Sequence, residues 1–371
     1  MKKRTIVISA VNLNNGGTLT ILRDCLAYLS SLAAKGEFKV IAIVHQKELA
    51  FFPNIQYIEN QWPKKRWINR IWFEYVSMHK ISKQISPVYL WFSLHDTTPN
   101  VIADKIAVYC HSPFAFYKAR WRELFFTPKI VLFSWFTKYI YQVNQTKNDY
   151  IVVQQQWFKD AMLRMFNVSP SKIIIAPPEV TTPVKISGIA NSCQEYSFLF
   201  ASSPNSHKNF ELLCKAVEIL ENKNVLNFKV LITVKGDENE YAKWLHKKWG
   251  YLQTLKFIGF LNQDQLYAIY EETNCLIFPS KVETWGLPIS EFSVFRKPML
   301  LADLPYAYET ASGAHKVAYF NPDSAEQLAY QMERLLNGDE NFLAIQETLI
   351  YQNPKAENWQ GLFEILLAEK K

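Results

Sequence analysis

Glycine is scarce in this chain of 371 residues: 11 in all, about 3% against a usual ~7%. Each glycine that does occur therefore asks for a conformational reason. Cysteine is also sparse. The five, Cys25, Cys110, Cys193, Cys214 and Cys275, are odd in number and scattered without metal-ligand spacing. That excludes a disulfide framework and fits a reducing cytoplasm. No apolar run reaches the ~18 uncharged residues of a membrane span; the greasiest stretch, Ile130 to Val143, contains Lys138. The start, Met1-Lys2-Lys3-Arg4 before Ile6-Val7-Ile8, is too short for the apolar core of a secretory leader. Internal repeats, low-complexity tracts, a Gly-x-Gly-x-x-Gly string and an Asp-x-Asp string are all absent.

What is present is 49% hydrophobic and 15% aromatic, ample for two packed cores at roughly 100–200 residues each. Charge is uneven. Residues 1–185 hold 24 Lys+Arg and 11 Asp+Glu, a net of +13, and residues 186–371 hold 17 and 23, a net of −6. A basic first half points to an anionic partner such as phospholipid headgroups, a lipid pyrophosphate or nucleic acid. Within it, Trp62-Pro63-Lys64-Lys65-Arg66-Trp67 leads into a helix over about 67–85. Its apolar stripe is Ile71, Tyr75, Met78 and Ile85, and its basic residues are Lys64, Lys65, Arg66, Arg70, Lys80 and Lys83. Such a segment suits either an anionic membrane surface or a domain helix with a solvated basic face.

Periodicity predicts alternating strands and helices throughout. Thr5 to Ala10 is a buried strand, Gly16-Gly17 a turn, and Leu19, Leu22, Leu26 and Leu29 one face of a helix. Strands at 39–45, 56–59, 88–93, 106–110, 150–153 and 173–176 follow, with helices at 129–143 and 155–166. A Pro/Thr-rich stretch from Pro177 to about residue 194 reads as a linker. Beyond it come strands at 196–201, 228–233, 255–260, 275–278, 298–302 and 318–320, and helices at 210–220, 263–272, 325–336 and 358–368. His95 and His111 stand at strand C-terminal ends, where open α/β sheets place ligand contacts; a lone histidine there also fits a purely structural role. Lys208-Asn209 lies in a strand-to-helix loop, and a point cation there suits a diphosphate.

The most informative string is Pro279-Ser280-Lys281-Val282-Glu283-Thr284-Trp285-Gly286-Leu287-Pro288-Ile289-Ser290-Glu291. A strand ends at Pro279, and Pro288 marks a helix's first turn. The free N–H groups of that turn favour an anion, and the flanking carboxylates favour hydroxyl-rich groups.

Pro-Ser, Glu, Gly-Leu-Pro, Glu in this spacing resembles the Glu-x7-Glu motif of retaining glycosyltransferases of family 4. That resemblance implies the two-domain glycosyltransferase-B architecture: two Rossmann-like βαβ domains facing each other across a cleft, with a C-terminal helix crossing back to the N-terminal domain. The boundaries it implies are 1–180 plus 357–371 for the acceptor domain and 181–356 for the nucleotide-sugar domain. It assigns Glu283 to sugar hydroxyls, Glu291 to ribose and Lys208 with Asn209 to the diphosphate. Gly286, Leu287 and Pro288 contact the donor, Gly259 lies by the base, and Gly16 and Gly17 form the first domain's donor loop.

The string Tyr109-Cys110-His111-Ser112-Pro113-Phe114 is similar to the family's histidine loop, which puts His111 at the reacting sugar; His95 lies on the acceptor side. The family's arginine upstream of the lysine has no counterpart, because residues 202–206 are Ser, Ser, Pro, Asn and Ser. The implied reaction is transfer of a hexose-type sugar from a nucleotide-diphosphate sugar to a saccharide, lipid-linked and destined for surface polysaccharide. It retains configuration and, without Asp-x-Asp, uses no metal and no other cofactor. Expected partners are the donor, the acceptor and an anionic membrane surface, with no nucleic acid. The expected place is the cytoplasm, on the inner face of the cell membrane. Alternatives are a sugar-nucleotide epimerase of the same architecture, or a non-catalytic nucleotide- or carbohydrate-binding protein.

Overall fold

A computed structural model describes residues 3–14, 16–118, 121–179 and 195–369. Most of the predicted linker, with Cys193, lies outside the described residues. The chain divides into two compact units, Met1–Ala115 with Trp135–Glu179 and Tyr351–Lys371, and Phe116–Ser134 with Val180–Ile350.

In the first unit the strands are β1 (Arg4–Ala10), β2 (Phe38–Val44), β3 (Ile55–Glu59), β4 (Leu90–Ser93), β5 (Lys105–Tyr109), β6 (Tyr150–Val153) and β7 (Ile173–Ile175). They run parallel in the order β3-β2-β1-β4-β5-β6-β7. Strands of such a sheet are covered on both faces and so read as continuous apolar runs; every residue of β1 except Arg4 is buried. The first helix, α1 (Gly16–Ala34), buries Leu22, Leu26 and Leu29. After it come α2 (Trp67–Trp72), α3 (Met78–Gln84), α4 (Pro128–Gln142), of which the part up to Ser134 belongs to the second unit, and α5 (Gln156–Met165).

The expected helix over 67–85 differs in detail. A π turn, Phe73–Ser77, separates α2 from α3 and adds a residue to the repeat. The buried positions become Phe73, Glu74, Met78 and Ser82, leaving Ile71, Tyr75 and Ile85 only half-buried. Arg70, read as part of the basic face, is instead drawn inward to pair with Glu74 at 2.8 Å.

In the second unit β8 (Tyr196–Phe200), β9 (Phe228–Ile232), β10 (Leu255–Phe257), β11 (Cys275–Phe278), β12 (Met299–Ala302) and β13 (Val317–Phe320) are parallel in the order β10-β9-β8-β11-β12-β13. The helices are α6 (Phe210–Asn222), α7 (Glu240–Trp249), α8 (Gln263–Glu272), α9 (Leu287–Ser293), α10 (Pro305–Thr310) and α11 (Ala325–Leu336). Both α7 and α10 escaped the periodicity reading. The segment 116–134 also departs from the expected boundary, because Phe126 packs on Tyr241 and Trp244 with ring centroids 5.8 and 4.8 Å apart.

The C-terminal helix, α12 (Trp359–Leu367), returns to the first unit. Its Leu362, Phe363 and Leu366 share a core with Ile6, Ile8, Leu22 and Leu26, and Phe363 stacks on Tyr28 at 5.4 Å. Its carbonyl end is held by Lys105, whose Nζ donates to the carbonyls of Leu366 and Ala368, as cations do at helix C-termini. Each sheet reverses strand order once, at β1/β4 and at β8/β11, and the candidate residues collect at the carboxyl ends beside those switch points.

Candidate functional site

In the second unit the loops after β8, β11 and β13 are tied together. Asn209 takes the left-handed conformation, φ 63°, and its buried amide donates to the carbonyls of Pro279 (3.2 Å) and Pro322 (2.8 Å). The Lys281 N–H donates to the His207 carbonyl at 2.8 Å. These bonds bring Lys208 and Glu283, 75 residues apart, into a direct ion pair with 15% and 14% of each side chain exposed. Asn209, expected on the ligand, thus has both amide hydrogens engaged in holding the loops.

Behind that pair lies a hub that sequence reasoning missed. Buried Glu123 accepts from the Tyr117 hydroxyl at 2.6 Å and from Ser206 Oγ at 3.4 Å. Lys281 Nζ sits 3.8 Å from Glu123 and 3.6 Å from Glu211. Nothing in the sequence links Glu123 to a motif some 160 residues away; only the docking of 116–134 does.

Gly286 precedes α9 with φ +88°, and a Cβ there would meet Ile289 at 3.3 Å and Phe278 at 3.4 Å. Backbone handedness and space therefore both select glycine. Leu287 and Pro288 begin α9, which is only seven residues long. Anion affinity there comes from free N–H groups more than from a summed dipole. Glu291, one turn on, is half-buried and accepts from the Tyr270 hydroxyl at 3.1 Å. Burial pushes its pKa upward, opposed by that hydrogen bond. Burial and the Glu291 charge push the Tyr267 hydroxyl up to about 12, against a hydrogen bond with Gln263. Glu283 and Glu291 thus have separate partners, a cation for one and a tyrosine hydroxyl for the other. Gly259 follows β10 with φ +76° and open space around it, Lys235 Cβ being 3.7 Å from a built Cβ.

In the first unit Gly16, φ +57°, opens α1, with Gly17 in its first turn. His95 is buried with Nδ1 3.4 Å from Asn12 Nδ2. Burial, Arg70 and His111 all depress its pKa. The His111 ring lies edge-on to Tyr109 at 4.4 Å, and burial lowers its pKa to about 3. Neither ring nitrogen of His111, nor Nε2 of His95, Oγ of Ser112 or Oδ1 of Asn14, completes a hydrogen bond. Five unsatisfied polar atoms at three neighbouring strand ends mark a place built to receive polar groups.

Asp96, also missed, organises it. In a left-handed conformation, φ 67°, its Oδ1 accepts the N–H groups of His111 and Ser112, the latter at 2.8 Å. Arg70 Nη2 donates to the His95 carbonyl at 2.7 Å. The adjacent pair His95-Asp96 at a strand end was the one sequence signal for it.

Set against known proteins, the second unit is decisive. Residues 189–353 match the family Glycosyl transferases group 1. The matched stretch contains Lys208, Glu283, Gly286 and Glu291. The chain is 25% identical over 144 residues to an uncharacterized glycosyltransferase of Methanocaldococcus jannaschii, covering 38% of this chain and 36% of that protein. It is 21% identical over 202 residues to the O-antigen chain mannosyltransferase RfbU of Salmonella typhimurium, covering 54% of each. The chain thus spans about half, or less, of the curated relatives it matches. Among solved structures, sucrose-phosphate synthase from Thermosynechococcus elongatus superposes with a TM-score of 0.66 at 13% identity over 92% of both chains. The two parallel-sheet α/β units of this protein have the glycosyltransferase-B fold.

Proposed function

We propose that the chain is a retaining glycosyltransferase, moving a hexose-type sugar from a nucleotide-diphosphate sugar to a saccharide acceptor in surface polysaccharide assembly. The observation that carries this reading is the Lys208–Glu283 pair beside Gly286. A cation for the diphosphate and a carboxylate for sugar hydroxyls stand side by side in the group 1 domain. Lys281, two residues before Glu283, is engaged with Glu123 and Glu211.

In this reading the N–H groups of Gly286 and Leu287, with Lys208, take up the charge that grows on the leaving diphosphate. Glu283 orients the sugar, Glu291 takes the ribose and Gly259 lets the base approach the backbone. In the first unit the loop at Gly16 and Gly17 meets the donor's phosphate side. His111 faces the reacting carbon as a neutral imidazole, and His95 lines the acceptor side. The sugar C1–O bond to phosphate breaks as the acceptor oxygen bonds C1 on the same face. The acceptor's proton passes to the departing phosphate oxygen, so no metal and no dedicated protein base is needed. A lipid-linked saccharide at the inner membrane face suits the +13 first half. The O-antigen chain mannosyltransferase among the relatives supports the polysaccharide context.

Incubation with UDP-, GDP-, ADP- and dTDP-sugars tests the proposal. One donor is expected to release its nucleoside diphosphate, and Glu283→Ala is expected to stop the release. Turnover of a donor into its epimer without release would favour an isomerase; no turnover of any donor, with binding retained, would favour a non-catalytic binder.

A further inference from the structure

The second unit holds a cleft of about 130 Å³ that is lined by neither Lys208, Glu283, Gly286 nor Glu291. All of its lining residues belong to that unit. Ser206 and Lys281 of the tied loops form part of it, α6 and α7 another part, and Glu123 and Phe126 of the docked segment a third. Phe126 and Trp244 supply an aromatic wall. Both are half-buried, with ring centroids 4.8 Å apart.

The charges of this cleft cancel. Lys215, Lys248 and Lys281 line it, and so do Glu123, Glu211 and Asp323. Lys248 Nζ rides 5.5 Å from the Trp244 ring centroid, and Glu211 accepts from the Tyr241 hydroxyl. Lys281 Nζ stands 3.8 Å from Glu123 and 3.6 Å from Glu211, too far for direct hydrogen bonds. Its N–H donors are thus left for a ligand group in the cleft.

That set of side chains discriminates between ligand classes. An anion such as phosphate meets as many carboxylates as lysines and gains no net attraction. An apolar ligand would strip water from charged groups and return no hydrogen bond. A hydroxyl both donates and accepts, so it satisfies ammonium and carboxylate alike. The C–H faces of a sugar ring, in turn, pack on aromatic side chains. Size agrees: at ~10–15 Å³ for each water-sized position, the cleft holds roughly 9–13 non-hydrogen atoms, the size of one hexose.

We propose that this cleft is a second saccharide site, which holds one neutral hexopyranose residue without touching Lys208 or Glu283. Lys215 and Lys281 donate to its hydroxyls, Glu211 and Asp323 accept from them, and Phe126 and Trp244 pack against ring C–H groups. The site goes beyond the transfer reaction, since it needs no donor, no leaving group and no turnover. Only its purpose leans on the proposed function: in an enzyme that extends saccharides, a second hold raises the effective concentration of the end being extended.

Saturation-transfer NMR of the full chain with methyl α-glucoside, methyl α-mannoside and methyl α-galactoside tests the site, with glycine and inorganic phosphate as zwitterionic and anionic competitors. At least one pyranoside is expected to bind with a Kd on the order of 1 mM, and neither competitor should displace it. Trp244→Ala should abolish that binding, and Lys215→Ala should weaken it about tenfold or more. Lys215 is exposed, so its variant keeps the wild-type melting temperature and decides the matter even where Trp244→Ala unfolds. Glu283→Gln should leave pyranoside binding unchanged, and Lys215→Ala should leave nucleoside diphosphate binding unchanged, so the cleft and the donor site fail separately. No pyranoside binding to wild type, displacement by glycine or phosphate, undiminished binding in Lys215→Ala, or loss of binding in Glu283→Gln would overturn the proposal.

Discussion

Replacing Lys208 by Met leaves Glu283 half-way into the protein with no counter-charge. Two unit charges about 4 Å apart attract by roughly 4 kcal/mol at an effective dielectric of ~20. Both side chains are largely buried, at 15% and 14% exposed, so the cost of desolvating them cancels part of that. A net coupling of about 2 kcal/mol remains. Lys208→Met alone should therefore lower the stability of the second unit by about 3 kcal/mol, or roughly 6–12 °C in its melting transition. Glu283→Gln alone should cost only about 1–2 kcal/mol, since the freed lysine can turn toward water. The double variant should be no less stable than Lys208→Met. Thermal and urea melts of all four proteins complete the cycle. Single-variant effects that add to within about 0.5 kcal/mol would refute the pairing. Turnover must behave differently: either single change should lower kcat by about 100-fold or more, and the double variant should recover stability without recovering activity.

Asp96→Ala should loosen the His111 loop and cut turnover at least ~100-fold, whereas Asp96→Asn, which can still accept both N–H groups, should retain most of the fold. Burial raises the Asp96 pKa to about 6, above its ordinary 3.8. The folded state therefore favours the neutral acid. The stability it contributes is complete below about pH 4 and is lost as pH rises through about 6; melts from pH 4 to 7 should show wild type losing stability relative to Asp96→Asn across that window. Gly286→Ala forces a Cβ into a left-handed residue within 3.4 Å of two side chains. It should cost about 1–2 kcal/mol and weaken nucleotide binding in a titration. Phe363→Ala in α12 should destabilise the first unit by about 3–5 kcal/mol, seen as a lowered melting transition with the second unit's transition unmoved.

Reading strands from apolar runs worked where burial is two-sided. Cys275 to Phe278, Tyr150 to Val153 and the helix from Ala325 to Leu336 fall where periodicity put them. Helix α7 did carry a helical signal, with Tyr241, Leu245 and Trp249 four residues apart on its buried face and Lys243, Lys247 and Lys248 exposed, and it was passed over. Periodicity failed where tertiary context supplies the order. The π turn at Phe73 to Ser77 shifts the apolar stripe by one residue, which no fixed period can anticipate. At the candidate site, the Glu283–Glu291 string and Lys208 were legible because their spacing is local. The ion pair joining Lys208 to Glu283, the Glu123 hub and the clamp of Asp96 on the His111 loop were not. Each spans 15 to 160 residues and exists only once loops from different strands meet.

Isothermal titration of UDP, GDP, ADP and dTDP into the wild-type chain and into Lys208→Met tests the donor site most directly. The account predicts that one of the four nucleotides binds wild type with saturable heat and binds Lys208→Met at least tenfold more weakly. Equal affinity in the two proteins, or no binding by any of the four, would contradict it.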